Sequence, residues 1–158
     1  TREYRALLWG APERPSGTVA APLGRHATHR EKIAVVSEDR GREAITHWRR
    51  EETFGADRHG APLASLIACA LETGRTHQIR VHMAHLGHPV TGDPLYATGF
   101  KTKAAQLPPE AQSALAKLGR QALHAAVLGF AHPITGEELI FESKPPADMT
   151  ALMKALRG

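Results

Sequence analysis

The feature that most limits how this chain can fold is its punctuation. Apolar or alternating runs are short throughout, and each is cut off by glycine, proline or a turn dipeptide, with 14 glycines and 11 prolines among 158 residues. A chain interrupted this often reads as short strands mostly linked by short turns, with three or so helices. No run approaches the roughly 18 apolar residues that a membrane-crossing helix needs. Hydrophobic residues make up 42% and charged residues 23% of the sequence, which excludes disordered and collagen-like classes. A chain of this length is one domain's worth of polypeptide and can bury a core without covalent staples.

Hydrophobic periodicity places the elements. Residues 4–9 read as a strand that ends at Gly10. Further strands are expected at 18–22, 33–36, 43–51 and 63–72, with a period near two around Ala44-Ile45-Thr46-His47-Trp48-Arg49. The period changes over residues 76–86, where Ile79, Met83 and Leu86 fall on one helix face and Gly87 supplies the stop. Pro108-Pro109 and Gly119 bracket a second helix over 109–118. Strands at 123–131 and 138–143 flank the turn Ile134-Thr135-Gly136, and Pro146-Ala147-Asp148 opens a final helix with Met149, Leu152, Met153 and Leu156 inward. The fold class is α+β, a mixed, mainly antiparallel β-sheet with flanking helices; residues 55–60 and 98–103 read as mobile loops.

Twenty basic side chains against 16 acidic give a net charge of +4, and ten histidines add to it wherever they are protonated. The balance permits a polyanionic partner without requiring one. The single cysteine, Cys69, lies in the apolar run Leu66-Ile67-Ala68-Cys69-Ala70-Leu71, so an intramolecular disulfide is impossible and a buried thiol in a reducing, cytoplasmic setting is expected.

Chemistry concentrates in Thr73-Gly74-Arg75-Thr76-His77-Gln78-Ile79-Arg80-Val81-His82-Met83. On a helix Arg80 sits about 100° from Ile79, at the edge of the apolar face, while Gln78, His82 and His85 form a polar stripe. An arginine at a core boundary needs an anion. Its neighbours one turn away are Thr76, His77, Met83 and Ala84, so the anion must come from elsewhere: Asp93 or backbone carbonyls on a structural reading, a ligand on a functional one. His77, His82, His85 and His88 lack metal-ligand spacing, and no metal site is expected. Arg25, His26, Arg30 and Lys32 form a basic cluster that is either a solvated loop or a contact to a nucleic-acid backbone. Asp93 in Gly92-Asp93-Pro94 reads as a turn residue bonding its own backbone, and Tyr4 as a cross-strand packing residue.

The stretch from Glu72 to Met83, followed by Leu86-Gly87-His88-Pro89-Val90-Thr91-Gly92-Asp93-Pro94-Leu95-Tyr96, resembles the signature of the RluA-type ribosomal large-subunit pseudouridine synthases. Supporting matches are Tyr4-Arg5-Ala6-Leu7, Ala44-Ile45-Thr46, Arg120-Gln121-Ala122-Leu123-His124-Ala125 and His132-Pro133-Ile134-Thr135-Gly136. The resemblance implies a cofactor-free isomerisation of uridine in ribosomal or transfer RNA, with the base flipped out of its stack. In that family an aspartate in a His-Arg-Leu-Asp motif is the nucleophile; the motif does not occur here. Residues 1–158 are therefore expected to be the C-terminal portion of one catalytic domain, inactive alone and able to self-associate through the edge left open. The resemblance makes Arg80 the arginine that pairs with the catalytic aspartate and Tyr4 the residue that stacks on the target base. Arg75, His77, Gln78 and Leu123 become substrate-binding residues, and Arg25, His26, Arg30 and Lys32 RNA contacts. The rival reading is a non-catalytic RNA-binding module with the same shell.

Overall fold

The computed structural model describes residues 2–158. Six strands form one sheet: β1 (Arg2–Trp9), β2 (Ser16–Ala20), β5 (Ile45–Phe54), β6 (Ala64–Leu71), β7 (Leu123–Ala131) and β8 (Glu138–Glu142), in the order β2-β5-β6-β1-β7-β8. A separate ribbon pairs β3 (Leu23–Arg25) with β4 (Ile33–Val35). The fold is α+β as expected, and these pairings among the described residues are antiparallel. Short turns suffice for most connections because neighbouring strands run in opposite directions. The other paths are β1 to β2, which passes β6 and β5; β2 to β5, which carries the ribbon; and β6 to β7, which crosses β1 and carries α1 (Gln78–His85), α2 (Lys101–Ala105) and α3 (Pro109–Leu118); α4 (Ala147–Arg157) follows β8.

Residue choice explains which strand is central. Ala6, Leu7 and Leu8 of β1 are completely buried, which is why the strand reads as a continuous apolar run rather than an alternating one. On β5, Thr46 and Trp48 are buried while His47 and Arg49 are exposed, the alternation of a strand with one wet face. Ile79 and Met83 of α1 join the core, and Met149, Leu152, Met153 and Leu156 of α4 are buried as their spacing predicts. Gly87 follows α1 at φ +90° and Gly119 ends α3 at φ +61°, left-handed positions that suit glycine. Cys69 is fully buried, and burial pushes its thiol up to about 12. Among the described residues no helix is long and apolar enough to cross a membrane.

Several expectations need correction. Residues 98–103 are not simply a loop: α2 begins at Lys101, and Phe100 before it stacks on Trp9 with ring centroids 6.1 Å apart. Residues 55–60 close through Asp57, whose carboxylate accepts the amides of His59 and Ala61. The strand expected at 43–51 begins at Ile45 and continues to Phe54. The three-residue strand β3 was too short to show a period. The polar stripe on α1 is the largest departure. His82 has no exposed surface and Gln78 is 3% exposed, because both are hydrogen-bonded to β5, and His82 also to the Ala21 carbonyl just after β2, rather than turned to solvent. By contrast, Leu128, Phe130, Ile140 and Phe141 at the β7–β8 edge are exposed, with Phe130 stacked on Phe141.

Candidate active site

A cleft of about 270 Å³ opens where the start of β1, the end of β6, the β6–α1 turn and the start of β7 meet. Tyr4, Arg75, His77, Gln78, Arg80 and Leu123 all line it, together with Arg2, Leu71, Gly74, Ile79 and Gln121. Six residues singled out across nearly 120 positions of sequence are thus brought to one place. Tyr4 pairs with Cys69 on one side and Ala125 on the other, next to a bulge in the β1–β7 register between Glu3 and Tyr4. A bulge there re-aims the side chains around it.

Thr73–Gln78 is held by side-chain bonds. The Gln78 side-chain oxygen accepts from Thr73 Oγ1 at 2.8 Å and from the Arg75 amide at 3.0 Å. Its nitrogen donates to Ile45 O at 3.0 Å and Thr46 Oγ1 at 2.9 Å. With donor and acceptor both engaged inside the protein, Gln78 braces the turn and has little left for a substrate. His82 continues the brace: its Nδ1 lies 2.8 Å from Thr46 Oγ1 and its Nε2 2.9 Å from Ala21 O. Because a carbonyl only accepts, Nε2 carries the proton; burial, the largest influence on His82, lowers its pKa and so favours the neutral ring.

The anion for Arg80 is Asp93. Nε donates to Oδ2 at 2.7 Å and Nη2 to Oδ1 at 2.8 Å, a bidentate fork between a side chain 10% exposed and one fully buried. The same carboxylate accepts the amides of Leu95 and Tyr96, so the turn role expected for Asp93 and the pairing role coexist. Gly92 at φ +76° makes this turn, and a Cβ there would lie 2.2 Å from Arg120 O, so no other residue fits. Burial is the strongest single influence on Asp93 and raises its pKa, but the Arg80 bonds, the two amides and the Arg80 charge together hold it below the usual value. Donating to Asp93 raises the Arg80 pKa in turn. Two of the five guanidinium N–H donors go to Asp93; the others have no acceptor among the described residues, and Arg80 lines the cleft.

A second cleft of about 430 Å³ adjoins the first and shares Gly74 and Arg75 with it. Arg25, Arg30 and Arg42 line it with Glu31 and the β3–β4 ribbon. Arg25 and Arg30 are exposed and Lys32 is half-buried. His26 uses Nδ1 to accept the amides of Thr28 and His29, which shapes the ribbon's turn. Arg75 donates to Glu43 O at 2.7 Å, fixing it between the two clefts.

Comparison with known proteins fits this geometry. The family model described as RNA pseudouridylate synthase matches residues 1–85. The chain belongs to the RNA pseudouridylate synthase family. Among curated relatives of this family, a ribosomal large subunit pseudouridine synthase D from Zymomonas mobilis is 47% identical over 98% of this chain and 44% of its own length. The protein of the same name from Nitrosomonas europaea is 45% identical over 99% of this chain and 41% of its own length. The chain thus spans less than half the length of these relatives. Among solved structures, human RNA pseudouridylate synthase domain containing 1 superposes with a TM-score of 0.65 at 27% identity, covering 91% of this chain and 54% of that one. Human RNA pseudouridylate synthase domain containing 4 shares the fold, with a TM-score of 0.63 over 99% of this chain and 62% of that one at 23% identity.

Sequence reasoning gave no role to Tyr96, Thr46 or Arg42. Tyr96 was visible only as the last residue of a turn motif, although it touches His77, Arg80 and Ile33. Thr46 looked like an ordinary strand residue; nothing in its spacing marks it as the junction of Gln78 and His82.

Proposed function

We propose that this chain forms the uridine-binding part of an RNA pseudouridine synthase acting on structured RNA, with large-subunit ribosomal RNA as the substrate class, in the cytoplasm. The convergence of Tyr4, Arg75, His77, Arg80 and Leu123 on one small cleft carries the reading. An extruded uracil fits a site with an aromatic ring, an aliphatic wall and a few polar groups, since stacking offsets part of the cost of unstacking. The adjoining arginine-lined cleft offers a path for the backbone on either side of the flipped nucleotide.

None of the residues lining the uridine cleft is a carboxylate. On this reading, and as the family resemblance implies, the attacking carboxylate is supplied from outside the described residues, with residues 2–158 forming a portion of one catalytic domain. The remaining Arg80 donors would hold that carboxylate ionised and oriented while Asp93 keeps the guanidinium in place. After the glycosidic bond breaks and the base turns, C5 bonds to the ribose and loses its proton. No step asks for a cofactor.

The test uses RNA carrying tritiated uridine at C5 and a longer protein that contains this chain. Tritium release that falls by several orders of magnitude on Arg80→Ala, with folding retained, supports the assignment; near-normal release in that variant overturns it. The missing carboxylate is also what a non-catalytic RNA-binding module would show. RNA binding with no tritium release from the longer protein would select that reading.

A further inference from the structure

Tyr96 occupies the point where three parts of the molecule meet. Its hydroxyl accepts the Ile33 amide of β4 at 2.9 Å and lies 2.7 Å from His77 Nδ1. Its ring carries the Arg80 guanidinium at 5.1 Å, and its own amide donates to Asp93. His77, meanwhile, sits at φ 55°, which makes it the non-glycine residue in the left-handed region among those described. That conformation is uncommon outside glycine and persists where the surroundings hold it.

The hydrogen-bond inventory favours one direction for these contacts. A phenol oxygen that accepts from Ile33 still has its own proton to place. His77 Nδ1 is the acceptor within reach; the reverse arrangement, with Nδ1 protonated, leaves the phenol proton without an acceptor among the described residues. An imidazole that accepts at Nδ1 and is neutral carries its proton on Nε2. We infer that Tyr96 is a positioning residue that locks His77 as the neutral Nε2–H tautomer, so that the ring offers one donor to a carbonyl oxygen of the base held in the cleft.

Charge supports the neutral form. Arg80 and Asp93 act on His77 by charge and Tyr96 by contact, with Arg2 and Arg75 lining the same cleft; burial and the Arg80 charge lower its pKa, against a smaller opposing effect of Asp93. Burial likewise raises the Tyr96 pKa, keeping the phenol protonated and able to donate. A neutral donor beside a committed arginine suits a base carbonyl better than a phosphate. The Ile33 contact has a second consequence: the hydroxyl that orders His77 is anchored on the ribbon beside the arginine-lined cleft, so displacement of the ribbon removes an anchor from the uridine cleft.

This inference deepens the reading given under Proposed function, but its first test needs no RNA. Long-range ¹⁵N–¹H spectra of the free chain at pH 7.5 should show His77 with a protonated Nε2 and an unprotonated Nδ1. Tyr96→Phe, which keeps the ring under Arg80 and removes only the hydroxyl, should shift His77 to a mixture of tautomers. A protonated Nδ1 in the unsubstituted chain, or no change in Tyr96→Phe, overturns the inference. The second test measures affinity for a uridine-containing RNA hairpin. His77→Ala should weaken binding about three- to tenfold, the worth of one neutral hydrogen bond; Tyr96→Phe, which leaves about half of His77 in the competent tautomer, should weaken it about twofold, and the double variant should lose little more than His77→Ala. Fully additive losses overturn the coupling. Absence of binding by the unsubstituted chain would count against the RNA reading and leave the tautomer result to decide the inference.

Discussion

Asp93→Asn changes one charge and almost no volume, and the geometry makes its cost large. Asparagine can still accept the Leu95 and Tyr96 amides through Oδ1, so the turn survives. What is lost is the anion beside Arg80, whose side chain is 10% exposed, and an amide N–H then faces guanidinium N–H. Breaking a buried pair by neutralising one partner costs about 3–5 kcal/mol. For a domain of this size that is a fall in Tm of about 6–20 °C, or a drop of about 1 M or more in the urea midpoint followed by circular dichroism at pH 7. The double variant Arg80→Met/Asp93→Asn removes the orphaned charge and should recover part of the loss. A single-variant loss below about 1 kcal/mol would refute the argument, because it would mean that water already screens this pair. The same pair sets an acid limit. A carboxyl held below its ordinary value contributes stability that is present above the unfolded pKa, and this is lost as the pH falls below about 4.

Three further outcomes follow from other parts of the structure. His82 is neutral and buried with a lowered pKa, so stability should decline as the pH falls below about 6.5, where the unfolded chain binds the proton more readily; His82→Gln should flatten that decline in urea midpoints measured from pH 8 to 5. Cys69, with its thiol pushed up to about 12, should resist iodoacetamide at pH 8 in the native chain and react in denaturant, as read by mass spectrometry; rapid native labelling would contradict the burial. If the basic ribbon tracks an RNA backbone, Arg25→Gln and Arg30→Gln should each reduce the slope of log affinity against log salt by about 0.7–0.9; unchanged slopes in fluorescence anisotropy titrations would remove the ribbon from the interface.

Much of the architecture was written in local pattern. The helix at 109–118 and the strand at 123–131 lie where Pro108-Pro109, Gly119 and the apolar run place them, because caps, breakers and period act through neighbouring residues. So do the four buried positions of α4. The family resemblance likewise rests on contiguous motifs, and the residues it named include Tyr4, Arg75, His77, Gln78, Arg80 and Leu123 of the smaller cleft.

Long-range partners decided the rest. A helical wheel puts Gln78 and His82 on a polar flank, but it cannot know that Thr46, 36 positions before His82, arrives with a hydroxyl to satisfy both. Nor can it choose between an internal and an external anion for Arg80, since Asp93 reaches it only because Gly92 turns the chain at a place closed to any side chain. Tyr96 shows the limit most clearly. As a letter it is the end of a turn motif; in the fold its hydroxyl joins the ribbon to His77. Sequence fixes which groups a residue carries and how its immediate backbone bends, whereas hydrogen bonds between distant segments, and the protonation states they impose, exist only once the chain has brought those segments together.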